Sequence, residues 1–205
     1  MNEEQKMIQD TIRKFADEEI APAASENDKK GEFPRELFKK LADLGFMGTP
    51  IPEEYGGAGF DYISHAIVAE EIGRVDSSLR GTYSVQVSLV ELPIFKYASE
   101  KQKKKYLPKL TSGEWIGCFG LTEPDAGSDP ASMLATAEDR GDHYLLNGQK
   151  TWITNAGIAD LAIVYAKTDK EAGAKGITGF LVERGFEGFS TQDLHDKLGL
   201  RASNT

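Results

Sequence analysis

The apolar pattern of this chain changes once, at Thr111-Ser112-Gly113, and that change limits the fold more than any other feature. Up to that point apolar residues recur at helical spacing. Ile8, Ile12, Phe15, Ala16 and Ile20 mark an amphipathic helix over residues 3–21, which Pro22 should end. Pro34 opens a second helix with Leu37, Phe38, Leu41 and Leu44 on one face, closed by Gly45. Asp61 caps a third through Ile63, Ile67 and Ile72, and the small, apolar run 77–90 reads as a fourth, buried helix that Pro93 should kink or break. Ser99 and Gln102 have capping-box spacing, so a short surface helix follows and ends near Pro108. Its Lys101, Lys103, Lys104 and Lys105 read as a solvated helix face, not a phosphate site.

After Gly113 the apolar runs are short and separated by turn residues. They predict strands over 115–121, 144–146, 150–154, 161–166 and 177–182, with Asn147-Gly148 as a two-residue hairpin turn joining the second to the third. Helices and strands therefore come in blocks, which predicts an α+β fold and argues against a doubly wound nucleotide fold. We place an N-terminal α-helical domain at 1–111 and a β domain at 112–205. With 205 residues, 40% of them hydrophobic, both blocks can bury a core.

Composition excludes several functions. Acids outnumber bases 33 to 24, and a net charge of −9 repels phosphate backbones, so no nucleic-acid partner is expected. No run approaches the ~20 apolar residues of a membrane span. The start, Met1-Asn2-Glu3-Glu4-Gln5, is acidic where a signal peptide is basic, and we expect a cytoplasmic protein with no membrane partner. A single cysteine, Cys118, excludes a disulfide framework and a thiolate cluster; His65, His143 and His195 are too scattered to suggest a metal centre.

Gly56-Gly57-Ala58-Gly59 follows no strand and lacks the spacing of a dinucleotide fingerprint, and Asn147-Gly148-Gln149-Lys150-Thr151 is no phosphate loop. Two other segments carry more. Residues 121–130, Leu-Thr-Glu-Pro-Asp-Ala-Gly-Ser-Asp-Pro, follow a predicted strand and combine hydroxyls and acids with Pro and Gly, forcing an irregular backbone whose N–H groups can face a ligand. On residue type alone they are ordinary turn residues, and Trp152-Ile153-Thr154-Asn155 reads equally well as core strand.

Together and at this spacing, 119–129 and 147–155, with Lys197-Leu198-Gly199-Leu200-Arg201-Ala202-Ser203 closing the chain, resemble the acyl-CoA dehydrogenase family along essentially the whole length. The resemblance implies an antiparallel, barrel-like β domain that holds FAD. Its cofactor contacts would be Phe119, Gly120, Leu121, Thr122, Gly127, Ser128, Trp152, Ile153 and Thr154, with Thr122 and Thr154 at the polar edge of the isoalloxazine and Trp152 over a ring face. It also implies an acyl-CoA substrate touched by Ser128, an electron-transferring flavoprotein as partner, and a homotetramer. The catalytic base would lie beyond Thr205, in a C-terminal helical bundle absent here, the chain stopping inside the β domain. Glu123 and Asp125 would shape the loop.

Residues 78–90 are most similar to glutaryl-CoA dehydrogenases, which implies that Arg80, with Gly81 and Ser84, meets a distal substrate carboxylate. An arginine on an apolar helix is costly to bury without an anion, which fits; the alternative is that Arg80 reaches a protein carboxylate or the surface. Those enzymes carry an acid where this chain has Gly73. Bulkier aryl or alicyclic thioesters such as benzylsuccinyl-CoA, and a flavin- or acyl-CoA-binding piece without turnover, stay open beside a glutaryl-type substrate.

Overall fold

A computed structural model describes all residues, Met1–Thr205. Helix α1 (Glu3–Phe15) opens with a capping box, Asn2 accepting from the Gln5 N–H at 2.8 Å and Gln5 accepting from the Asn2 N–H at 3.0 Å. It does not stop at Pro22. A π-helical turn (Ala16–Ile20) leads directly into α2 (Ala21–Lys30), which ends at left-handed Gly31. The same device recurs at Pro93, where α5 (Ser77–Ser84) passes through a π-helical turn (Val85–Glu91) into α6 (Leu92–Tyr97). In both places the proline falls in the first turn after the π segment. There the bonding pattern changes, so the missing N–H and the ring clash with a preceding carbonyl are absorbed.

The remaining helices follow their local signals. Helix α3 (Arg35–Asp43) stops just before Gly45, at φ 80°; α4 (Tyr62–Val75) is capped by Asp61, which accepts from the Ser64 N–H at 2.7 Å; α7 (Glu100–Thr111) starts at the Ser99/Gln102 box and runs on through Pro108. Seventeen buried apolar residues, among them Ile12, Phe38, Leu41, Ile72, Leu79 and Tyr83, form one core between α1, α3, α4 and α5. Glu71 of α4, only 2% exposed, is enclosed by Arg13 of α1, by Arg74 and by Gln9; the Arg13 guanidinium, chiefly, holds its carboxyl below the usual range.

The strands are β1 (Gly117–Gly120), β2 (Thr136–Asp139), β3 (Tyr144–Asn147), β4 (Leu161–Lys167) and β5 (Ile177–Glu183). The sequence of helices followed by strands is as expected, but the sheet is mixed. Strand β4 pairs along its whole length with antiparallel β5, and its other edge takes β1, parallel, then the start of β2.

The Asn147-Gly148 hairpin does not form. Strand β3 pairs instead with β2 through the turn at Gly141, and residues 150–154 form no strand. Gly148 serves a close approach: a Cβ there would sit 2.5 Å from that of Ala135. The sheet packs onto the helices through Leu161 and Ile163, which meet Val90, Ile94, Leu107 and Leu110 in a second core.

Candidate functional site

Strand β1 ends at Gly120, and the chain enters an irregular loop that one buried ion pair shapes. Glu123, 5% exposed, accepts from the backbone N–H groups of Leu134 (2.6 Å) and Ala135 (3.0 Å) and from the Lys150 ammonium (2.9 Å). Burial opposes ionisation of this carboxyl, but Lys150 and the two amides outweigh it and hold its pKa below the usual range. Its lone pairs are spent on the loop, which leaves it no part as a base. Lys150 also donates to the Leu121 carbonyl at 3.0 Å, and the Thr151 N–H donates to the Thr122 carbonyl at 2.9 Å. The segments 121–123 and 150–151 are thereby tied together.

From that tie the backbone turns through two left-handed residues, Trp152 (φ 59°) and Asn155 (φ 72°). The turn presents the Trp152 indole to solvent, 68% exposed, while Asn155 is fully buried. The N–H groups of Thr122, Trp152, Ile153 and Thr154 donate to no acceptor within the chain, and neither the Thr122 nor the Thr154 hydroxyl is bonded, although both residues are half-buried. An exposed flat aromatic beside free amides and hydroxyls is a donor set for a planar ligand with a polar, electron-accepting edge. Phe119 is half-buried against Tyr165, with ring centroids 5.1 Å apart. Gly127 and Ser128 lie on the exposed outer part of the loop, and a Cβ on Gly127 would meet nothing within 4 Å.

The other predicted residues sit on α5. Arg80 is half-buried and makes no ion pair or side-chain hydrogen bond within the chain; its stem lies on Gly73, where a Cβ would be 3.2 Å from the Arg80 Cγ. Arg80 pairs with no protein carboxylate, and its half-buried side chain still reaches solvent. Ser84 is half-buried with a free hydroxyl, and Gly81 faces Ser203, whose Oγ would lie 4.0 Å from a Cβ there. No side-chain bond joins Arg80 or Ser84 directly to the 152–154 turn.

Two family models match in series: the acyl-CoA dehydrogenase N-terminal domain over residues 2–114 and the middle domain over 118–205. The chain belongs to the acyl-CoA dehydrogenase family. That family is one of FAD-dependent oxidoreductases. Among curated relatives, the chain is 49% identical to a glutaryl-CoA dehydrogenase of Desulfococcus multivorans and 47% identical to a mitochondrial isovaleryl-CoA dehydrogenase of Pongo abelii, in each case over 100% of this chain and 54% and 49% of the relative. A glutaryl-CoA dehydrogenase of Mycobacterium smegmatis, solved in complex with FADH2, is 41% identical and superposes with a TM-score of 0.94 over 100% of this chain and 51% of that one. The chain thus spans about half the length of the relatives it matches.

The donor set around Trp152 fits the family's cofactor on this chain's own chemistry, since free amides and hydroxyls border an exposed ring face. Of the residues that shape the site without pointing at a ligand, Glu123 is expected from the family resemblance to shape the loop, whereas its partner Lys150 is not. Lys150 lies 27 positions from Glu123, and its sole sequence signal is a charge at the start of a Trp-containing segment that reads as a strand.

No helix is long and apolar enough to cross a membrane.

Proposed function

We propose that this chain supplies the cofactor- and substrate-binding residues for the FAD-dependent α,β-dehydrogenation of an acyl-CoA thioester, one carrying a distal carboxylate. The observation that carries the reading is the unpaired state of Arg80. A half-buried guanidinium without a protein anion favours a ligand anion, and a carboxylate can take it in two parallel hydrogen bonds. Ser84, one helical turn further, adds a free hydroxyl on the same face.

FAD, when bound, accepts the hydride that leaves the acyl chain. The Thr122 and Thr154 hydroxyls and the neighbouring amides would stabilise negative charge at its polar edge, Trp152 would cover a ring face and exclude water, Gly127 would border the cofactor, and Ser128 would touch both cofactor and acyl-CoA. No residue of this chain is assigned as the base. Electron-transferring flavoprotein is the partner this chemistry calls for, and a homotetramer in the cytoplasm completes the proposal. The similarity to an isovaleryl-CoA dehydrogenase keeps an uncharged, branched acyl group as the second reading of the substrate.

Substitution separates the two. Arg80→Ala should raise KM for glutaryl-CoA roughly 10- to 100-fold, the worth of a charge-assisted hydrogen bond, and leave butyryl-CoA almost unaffected. An equal effect on both thioesters would remove Arg80 from carboxylate binding. Thr154→Ala should slow anaerobic bleaching of the flavin band or weaken FAD retention, and unchanged values of both would refute its role.

A further inference from the structure

One backbone residue joins the three segments that the proposed function assigns to ligands. Gly117, the first residue of β1, has both of its backbone groups taken by fully buried side chains. Its N–H donates to Gln86 Oε1 at 2.7 Å, and its carbonyl accepts from Asn155 Nδ2 at 3.0 Å. Gln86 lies two residues beyond Ser84, in the π-helical turn, and its amide donates to the Leu110 and Trp115 carbonyls, each at 3.1 Å. Every conventional donor and acceptor site of that side-chain amide, apart from one lone pair, is in use.

Asn155 closes the turn that carries Trp152 and Thr154, and its own N–H donates to the Asn204 carbonyl at 2.9 Å. Gly117 has no room to adjust, because a Cβ there would lie 2.6 Å from a methyl of Val90. Two residues later the strand reaches Phe119, and after Gly120 the loop begins. The path therefore runs from the Arg80–Ser84 helix through Gln86 to β1, and from β1 through Asn155 to the Trp152 turn, in buried hydrogen bonds of near-ideal length.

We infer that Gln86 and Asn155 are positioning residues that fix the substrate helix, the start of β1 and the cofactor turn in one frame, so that disturbing either end alters ligand binding at the other. The inference rests on the proposed function for what is bound at each end, but the frame itself belongs to the chain. Neither side chain hydrogen-bonds to a residue assigned to a ligand; the bond each shares with the other end runs through Gly117.

The test uses Asn155→Gly and Gln86→Glu. Glycine accepts φ 72° without strain and removes a buried Oδ1 that has no partner, so Asn155→Gly should fold. Glutamate keeps the acceptor for Gly117 and loses at least one donor. We expect Asn155→Gly, a change in the cofactor turn, to raise KM for the thioester roughly five- to tenfold, and Gln86→Glu, a change in the substrate helix, to weaken FAD retention by a similar factor, with the double variant no worse than the worse single one.

Without flavin or substrate, backbone amide exchange at 152–154 should quicken in Gln86→Glu, and exchange at 84–87 in Asn155→Gly. Effects confined to the ligand and segment nearest each substitution, or strictly additive losses, overturn the inference. If Gln86→Glu does not fold, the Asn155→Gly arm decides alone. A wild-type protein that holds no flavin would defeat the proposed function, while the exchange measurement would still judge the frame.

Discussion

The helical half and the sheet differ in how much apolar surface each buries. Between α1, α3, α4 and α5 seventeen apolar residues close into one core, and some of the polar groups among them are partnered, Ser88 and Tyr83 holding His65 at 2.9 and 2.8 Å and Thr49 meeting Tyr83 at 2.9 Å, while Ser64 Oγ, Asp76 Oδ2 and Thr82 Oγ1 are buried without a partner. The sheet's own clusters contain four and three buried residues, mostly alanines, with its larger contacts borrowed from α6 and α7. It leaves Leu134, Trp152 and Phe186 more than half exposed. Apolar burial is therefore concentrated in the helical half, while the turn at 152–154 exposes backbone and side-chain donors that the sheet does not use, an arrangement that suits a site mounted on a scaffold.

Truncating the helical core should have the largest effect. Phe38 is 1% exposed and packs edge-on to Phe33, so Phe38→Ala should cost about 3–5 kcal/mol in chemical denaturation. A loss below about 1 kcal/mol would mean that the helical half is not where stability resides. Lys150→Met tests whether the loop half has any comparable point. It would leave Glu123 buried without its cation, at a cost of roughly 3–5 kcal/mol near neutral pH.

The folded-state pKa of Glu123 is depressed, so the stabilisation it gives the wild type is present above its unfolded pKa and fades as pH falls through the folded one. The gap between wild type and Lys150→Met should accordingly shrink toward pH 3. A gap that is independent of pH would assign the loss to packing.

Much of the helical half was legible because its determinants are local. The Ser99 box, the Asp61 cap and the stop at Gly45 each involve residues within four positions of one another. Pro22 and Pro93 misled because a π-helical turn, which no residue pattern announces, absorbs them. In the sheet half the determinants are distant. Gly148 is needed for Ala135, Lys150 for Glu123, and Asn155 for Gly117, 38 positions away. Strand β2, Thr-Ala-Glu-Asp, has almost no apolar signal and exists through its pairing with β3. The site's segments could be recognised as polar and irregular; what ties them to one another could not.

A smaller effect probes another unpartnered group inside the helical half. Glu91 is fully buried on the π-helical turn, with neither carboxyl oxygen hydrogen-bonded, and burial pushes its pKa well above the ordinary value. A raised folded pKa means that the contribution of the neutral carboxyl is complete below 4.5, the ordinary value, and is lost as pH rises. Glu91→Met, similar in shape and without charge, should therefore raise stability by roughly 1–3 kcal/mol at pH 8 and by less at pH 5. A destabilised variant at both pH values would show that the carboxyl is held by something useful, and the helical half would then contain a polar site of its own.

The smallest effect on stability falls on the residue most exposed to the proposed ligand. Trp152 has a left-handed φ of 59°, a conformation that costs a side-chain-bearing residue about 1–2 kcal/mol, and 68% of it faces solvent. Trp152→Gly removes the strain and little packing, though the freed unfolded chain offsets part of the gain, so stability should stay within about 1 kcal/mol of wild type. FAD retention, read from the visible spectrum after gel filtration, should fall all the same. Strain kept at a residue whose removal does not harm the fold has to be maintained for another purpose, and here the only candidate is the ring face that the turn holds outward. If instead the glycine variant unfolds while its residual folded fraction keeps its flavin, Trp152 belongs to the scaffold, and the division between a half that buries apolar surface and a ligand-facing half fails at the residue that best represents it.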